Sequence, residues 1–201
     1  MYILAHLLAG IILGVLLASL FRDARIIPAC AFGSIFPDLI DKLVGILLFS
    51  DAIGYGRIYA HTLLFAGLVA IIGLYIIFRH PRSRSGPLLL AFFAGILSHQ
   101  LLDAMWLEPI NWFWPVYGPF TGNSQPDFFI DAFWREITNP TEWLAGIFIL
   151  AFMLLWSIPL YRERYLSGSI ATSRPRRRSL LLVLLIAATV VLMVIIVVQY
   201  W

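Results

Sequence analysis

Four groups of histidine and aspartate interrupt stretches of this chain that are otherwise apolar enough to sit in lipid: His6, Asp38 with Asp41 just after Pro37, His61, and His99 with Asp103. Ionisable side chains are costly at membrane depth, so their default reading is functional, with partners sought among one another. Neutral imidazoles with carboxylates suit a divalent metal, zinc first, with manganese or iron also accommodated; the absence of cysteine beside them argues against a soft thiolate site. Three histidines and up to three aspartates exceed the needs of one tetrahedral zinc. The surplus leaves two arrangements open: two ions with a bridging hydroxide as nucleophile, or aspartates that hold histidine tautomers from outside. His6, Asp38, His61, His99 and Asp103 are the candidate ligands, and Asp41 is either a further ligand or the general base. Arg57 precedes His61 by one helical turn, where it can clamp a phosphate.

Each residue also has a plainer reading. His6 can be an interfacial histidine, Asp38 a cap on a helix resuming after Pro37, and Asp41 an ion-pair partner of Lys42. His99 and Asp103 can share a hydrogen bond within one helix. His80 falls in an arginine-rich loop away from the others and reads as a headgroup contact outside the site.

Positioning these groups is the task of long apolar elements. With 61% hydrophobic and 12% charged residues, the chain lies outside the soluble globular range. Apolar runs cover Ile3 to Leu20, Ile26 to Phe49, Ile58 to Phe78, Pro87 to Leu107, Thr141 to Leu160 and Ser179 to Trp201, each near the ~20 residues of a spanning helix. The expectation is an all-α, polytopic membrane bundle of about six spans forming a single domain over 1–201. Within it, 1–120 carries the motifs, 108–140 is an outer aromatic loop, and 141–201 supplies the C-terminal spans. The first run lacks a basic leader and carries His6, so it reads as part of the mature protein. Cys30 is the single cysteine and excludes an intrachain disulfide.

Charge placement gives an orientation. Arg22, Arg25, Arg79, Arg82, Arg84, Arg162, Arg164, Arg174, Arg176, Arg177 and Arg178 all fall on one side of the expected spans. By the positive-inside rule that side is cytoplasmic, leaving both termini and the long segment after Leu107 outside, in a plasma (inner) membrane. At ~1.5 Å of rise per residue, His6, His61 and Asp103 come out about one turn below the outer surface, and His99 and Asp41 about two. Gly33 to Asp41 reads as a span broken near Pro37 whose freed backbone lines a polar cavity. Gly95, His99 and Asp103 share one helical face, as do His6, Gly10 and Gly14, so small residues beside each histidine allow close helix approach.

The outer segment is crowded with aromatics, among them Trp106, Trp112, Trp114 and Trp134. These suit an interfacial belt, or else a lid in which Asp127 to Ile137 forms an amphipathic surface helix and Trp112 to Phe120 covers the site. Glu142 opens the next span on the same side, as a cap or as part of the cavity lining. Ser167 to Ser179 reads as a flexible cytoplasmic connector, and Leu180 to Val198 as a lipid-facing span without chemistry. The arginine loops contact headgroups and do not interleave aromatics as a nucleic-acid groove would, so lipids are the expected partners and no nucleic acid is.

The ordered set of motifs resembles a known pattern: an early His6, the stretch Gly33-Ser34-Ile35-Phe36-Pro37-Asp38-Leu39-Ile40-Asp41, Arg57 followed by His61-Thr62-Leu63-Leu64, and Ser98-His99-Gln100-Leu101-Leu102-Asp103, with Trp114-Pro115 beyond. From His6 to Tyr117 the chain is similar to the YdjM-type family of membrane-bound, metal-dependent hydrolases, themselves distantly similar to zinc-dependent phospholipase C. The resemblance implies a divalent metal, most simply zinc, and hydrolysis of a phosphoester or lipid-like substrate. The rival expectation is a non-enzymatic membrane protein that binds or conducts metal ions or protons through the same residues. A third is a metal that only staples the bundle, with every coordination position filled by protein.

Overall fold

An unbroken apolar run makes Ile3–Phe21 the first helix, α1, which stops where Arg22 turns into the left-handed region at φ 55°. Asp23 and Arg25 pair across the short turn that follows, and α2 runs back over Ile26–Lys42. In this computed structural model, which describes residues 2–48, 56–122 and 128–158, the remaining helices are α3 (Leu63–Arg79), α4 (Ser85–Leu102), α5 (Pro109–Trp112), α6 (Phe128–Thr138) and α7 (Pro140–Ser157). Single helical turns at Tyr59–His61 and Met105–Leu107 flank the motifs. No strand occurs among the described residues.

The all-helical membrane architecture expected from composition is present, but the count of six spans is not. Among the described residues, three helices are long and apolar enough to cross a bilayer: α1, α4 and α7. Apolar runs overcount because α2 is only 17 residues long and carries Ser34, Asp38, Asp41 and Lys42, while α3 is an apolar helix of the same length. The connector at 167–179 and the last apolar run, at 179–201, lie outside the described residues.

A second correction concerns Pro37. The helix does not break between Gly33 and Pro37; α2 continues through the proline, and the irregularity comes later, where Leu43–Leu48 widens into a π-type turn. Proline removes one backbone donor, and close packing holds the helix regardless. A methyl on Gly33 would sit 2.2 Å from the Phe92 carbonyl oxygen, and one on Gly95 would sit 2.1 Å from that of Cys30, so α2 and α4 touch backbone to backbone. Gly10 and Gly14 bring α1 close to α2 as well, a methyl on either falling 2.9 Å from a backbone Cα of α2, as small residues do at membrane helix crossings.

The resulting order places α2 between α1 and α4, with α3 on the far side of α4 and α7 against α1. Leu8, Ile11, Val15, Ala18, Ile26, Ile27, Cys30, Ala91, Ala145 and Ile149 fill the common core. Short turns join α1 to α2 and α3 to α4, so the start of α1, the end of α2, the start of α3 and the end of α4 meet at one end of the bundle. The buried polar residues gather at that end, and the arginine-bearing turns lie at the other.

Candidate metal centre

The four motif-bearing elements deliver their histidines and aspartates to one buried cluster. Asp38, His61, His99 and Asp103 each offer a ligand atom, and all four atoms lie within 4.8 Å of one another. Asp38 Oδ1 is 3.6 Å from His61 Nε2 and 3.7 Å from His99 Nε2, and Asp103 Oδ2 is 3.9 Å from His61 Nε2. His6 stands beside them, its ring 4.3 Å from that of His99 and its Nε2 3.1 Å from Asp103 Oδ1.

Hydrogen bonds on the far side of each imidazole decide which nitrogen carries the proton. His6 Nδ1 faces the Tyr2 carbonyl at 2.6 Å, and His99 Nδ1 faces that of Ser34 at 2.7 Å. Carbonyls only accept, so both rings must donate from Nδ1. His61 Nδ1 lies 2.7 Å from Asp41 Oδ2, again an acceptor. With Nδ1 protonated in the neutral ring, every Nε2 presents a lone pair inward. This is how metal-ligating histidines are commonly held, the outer nitrogen donating to a carbonyl or carboxylate.

The inward arrangement is strained without a positive charge at its centre. His61 Nε2 and His99 Nε2 are 3.1 Å apart with neither available to donate, and His6 Nε2 meets a carboxylate oxygen lone pair to lone pair. His6 Nε2 and Asp38 Oδ1 are buried and make no hydrogen bond. Groups so placed need a cation or an extra proton between them. The residues fit a divalent ion: two nitrogens bound to one zinc at tetrahedral angles stand about 3.3 Å apart. His61, His99, Asp38 and Asp103 would hold it, while His6, also a candidate ligand from the sequence, stands outside that group and meets Asp103.

Asp41 is placed differently. Fully buried, it accepts from the backbone N–H groups of Ile58 (2.9 Å), Ala60 (2.9 Å) and His61 (3.1 Å), besides the His61 ring. One carboxylate thus folds the turn that carries His61 onto α2. Thr62 then caps α3, its hydroxyl accepting from Phe65 N. Lys42 pairs with Asp38 one turn back.

Arg57 reaches Asp103 Oδ2 at 3.0 Å and also pairs with Glu108. Glu108 is a site neighbour that the motifs do not reveal. So is Gln100, fully buried, whose amide donates to the Ala60 and Thr62 carbonyls on both sides of His61 while its oxygen accepts from Trp112 Nε1. An uncharged but strongly polar residue next to His99 in an apolar helix was the available signal. Tyr59, on the His61 turn, meets Trp114 and Phe120 edge-on, and those two rings stack, so the aromatic segment rests on the turn that positions His61.

Glu142 closes the near end of α1. Its oxygens accept from Leu4 N at 2.8 Å and Ala5 N at 3.2 Å, donors that no side chain of α1's own start satisfies. Ile3 N donates to Glu136, on α6. Burial, and then the neighbouring Glu142 carboxyl, push the Glu136 carboxyl up to about 8. His80, in the turn between α3 and α4, is exposed and takes no part in the cluster.

A profile described as YdjM inner membrane protein matches residues 1–201. The chain belongs to the YdjM inner membrane protein family. That match covers every residue of the cluster and makes the inner membrane the family's setting. Neither the curated proteins nor the solved structures contain a match to this YdjM-family chain.

Proposed function

We propose that this YdjM-family protein is a membrane-embedded, metal-dependent hydrolase acting on a phosphoester or lipid-like substrate. The observation that carries the reading is the convergence of the His61 and His99 Nε2 lone pairs, the orphaned Asp38 Oδ1 and Asp103 on one buried point. Bound there, a divalent ion, zinc or else manganese or iron, would supply a water made acidic enough to attack at neutral pH and a Lewis acid for the ester oxygen. His61, His99, Asp38 and Asp103 would hold it. Asp41 fixes the His61 ring and turn, which suits a positioning residue better than a general base, since its oxygens already accept four hydrogen bonds. Arg57, a third exposed above sealed histidines, stands where a substrate anion would enter. By the positive-inside rule, the cluster end, opposite Arg22, Arg25, Arg79, Arg82 and Arg84, faces the outer side.

One observation favours a rival. A proton shared between His61 and His99 would also relieve their 3.1 Å approach, as in a protein that binds or conducts protons or metal ions. Conduction needs polar groups continuing across the bundle, however, and the core beyond the cluster is Val15, Ala18, Ile26, Ile27 and Ala91.

The test is metal content by inductively coupled plasma mass spectrometry on detergent-purified protein, wild type beside His99→Ala and Asp103→Ala, followed by phospholipid and phosphoester hydrolysis. Stoichiometric metal in wild type alone, with turnover lost in both variants, is the expected result. A wild type that takes up no zinc, manganese or iron removes the mechanism. Metal without turnover of any ester favours the binding protein.

A further inference from the structure

Both candidate carboxylate ligands are divided between an inward and an outward partner. Asp38 directs Oδ1 at His61 and His99 while its Oδ2 holds Lys42, and Asp103 directs Oδ1 at His6 while its Oδ2 holds Arg57. Two cations therefore flank the same buried point, each tied to it through one ligand carboxylate. The segment that carries Arg57 also packs on Lys42: a methyl on Gly56, immediately before Arg57, would sit 3.1 Å from Lys42 Cγ. Both are less buried than the rings they flank, Lys42 at 11% and Arg57 at 33% side-chain exposure against 0% for His61.

We propose that Lys42 and Arg57 form a two-cation clamp for the phosphate group of the substrate, held in register by Asp38 and Asp103 until those carboxylates engage a metal ion; this rests on the metal-dependent hydrolase reading. A carboxylate whose charge is drawn to a divalent ion attracts a neighbouring ammonium or guanidinium less, because the bound ion is the largest local charge. More of the positive charge of both cations is then available to a substrate anion. Lysine supplies a point charge and arginine a planar fork of donors, a pairing that suits phosphate oxygens. Glu108 gives Arg57 a second anchor, so the guanidinium stays in place when its hold on Asp103 weakens. Gly56 leaves room for the lysine stem, since a methyl there would press on Lys42 Cγ and on Ile46.

The ligand class is a phosphate group, from a lipid headgroup or a soluble ester. The experiment titrates inorganic phosphate by calorimetry into detergent-purified, zinc-loaded wild type, Lys42→Gln, Arg57→Gln and Lys42→Arg, with zinc content measured on each sample. The expected result is at least a tenfold loss of phosphate affinity in both glutamine variants with zinc retained, and recovery of most of it in Lys42→Arg. Unchanged phosphate affinity in the glutamine variants, or loss of zinc in step with phosphate, overturns the clamp and leaves the two cations as neutralisers of buried carboxylates. A zinc-loaded wild type that binds no phosphate also overturns it while leaving the hydrolase reading standing; a wild type that holds no metal removes both. Competition then separates the sources: displacement of phosphate by phosphatidylglycerol nanodiscs supports a lipid headgroup in the clamp, and displacement by soluble glycerol phosphate alone supports a free ester.

Discussion

Two regions at the same end of the bundle bury carboxylates, and they treat them in opposite ways. At the start of α1 and in the His61 turn, Glu142 and Asp41 accept hydrogen bonds from backbone N–H groups. In the cluster, the partners of Asp38 and Asp103 among the described residues are side chains, and one Asp38 oxygen has no hydrogen bond among them. Backbone donors cannot leave or change protonation, so the first pair is architecture. Side-chain partners can rearrange, which is what a site that admits an ion and a substrate requires. Burial alone does not separate the two kinds of acid; the identity of the donors does.

The sharpest way to break this contrast is to neutralise one acid of each kind. Asp38→Asn should abolish stoichiometric metal while leaving thermal unfolding in detergent little changed. Glu142→Ala should do the reverse: it strands two α1 donors at about 1–3 kcal/mol each, lowering the unfolding temperature with metal content intact. Metal loss in Glu142→Ala without destabilisation would dissolve the distinction. Asp41→Asn tests the border between the classes, since the residue is structural in its contacts yet holds a ligand ring. Metal affinity measured by competition with a chelator should fall about 10- to 100-fold, with folding retained.

The smallest effect belongs to Glu136. Its carboxyl is raised to about 8, so the folded chain holds a proton that the unfolded chain releases near 4.5. Stability associated with it is complete below that lower value and declines as pH rises toward 8. The unfolding temperature of wild type should therefore drift down across that interval, and Glu136→Gln should flatten the drift; an equal drift in both would assign the effect to other groups.

Much of the cluster was legible in the sequence. His99 and Asp103 share a face by their spacing, and similar depth in the expected spans joins His6 and His61 to them, whereas Asp38 comes out deeper by the same reckoning and is joined to them by residue type. The function of Asp41 was not legible, because its partners are backbone donors of a turn about twenty residues away, and no motif records a main-chain hydrogen bond. Gln100 and Glu108 escaped for a related reason: neither is a ligand type in a recognisable spacing, and each matters through what it holds. The span count failed on physical grounds of another kind. Hydropathy sums apolar residues along a run, whereas crossing a bilayer also needs uninterrupted helical length, and α2 gives its last turns to Asp38, Asp41 and Lys42. Proline at 37 likewise reads as a break until Gly33 and Gly95 show the backbone contact that holds α2 straight onto its neighbour.

That the cluster sits at helix ends also bears on how the chain is made. His6 is synthesised first and its neighbour Asp103 only after three further helices, while Glu142 reaches the start of α1 later still. Polar groups at the middle of these helices would have to wait in hydrocarbon for partners not yet translated. Placed at the ends, they can remain in the headgroup layer, hydrated, until α4 arrives, so membrane insertion and assembly of the site become separate events in time.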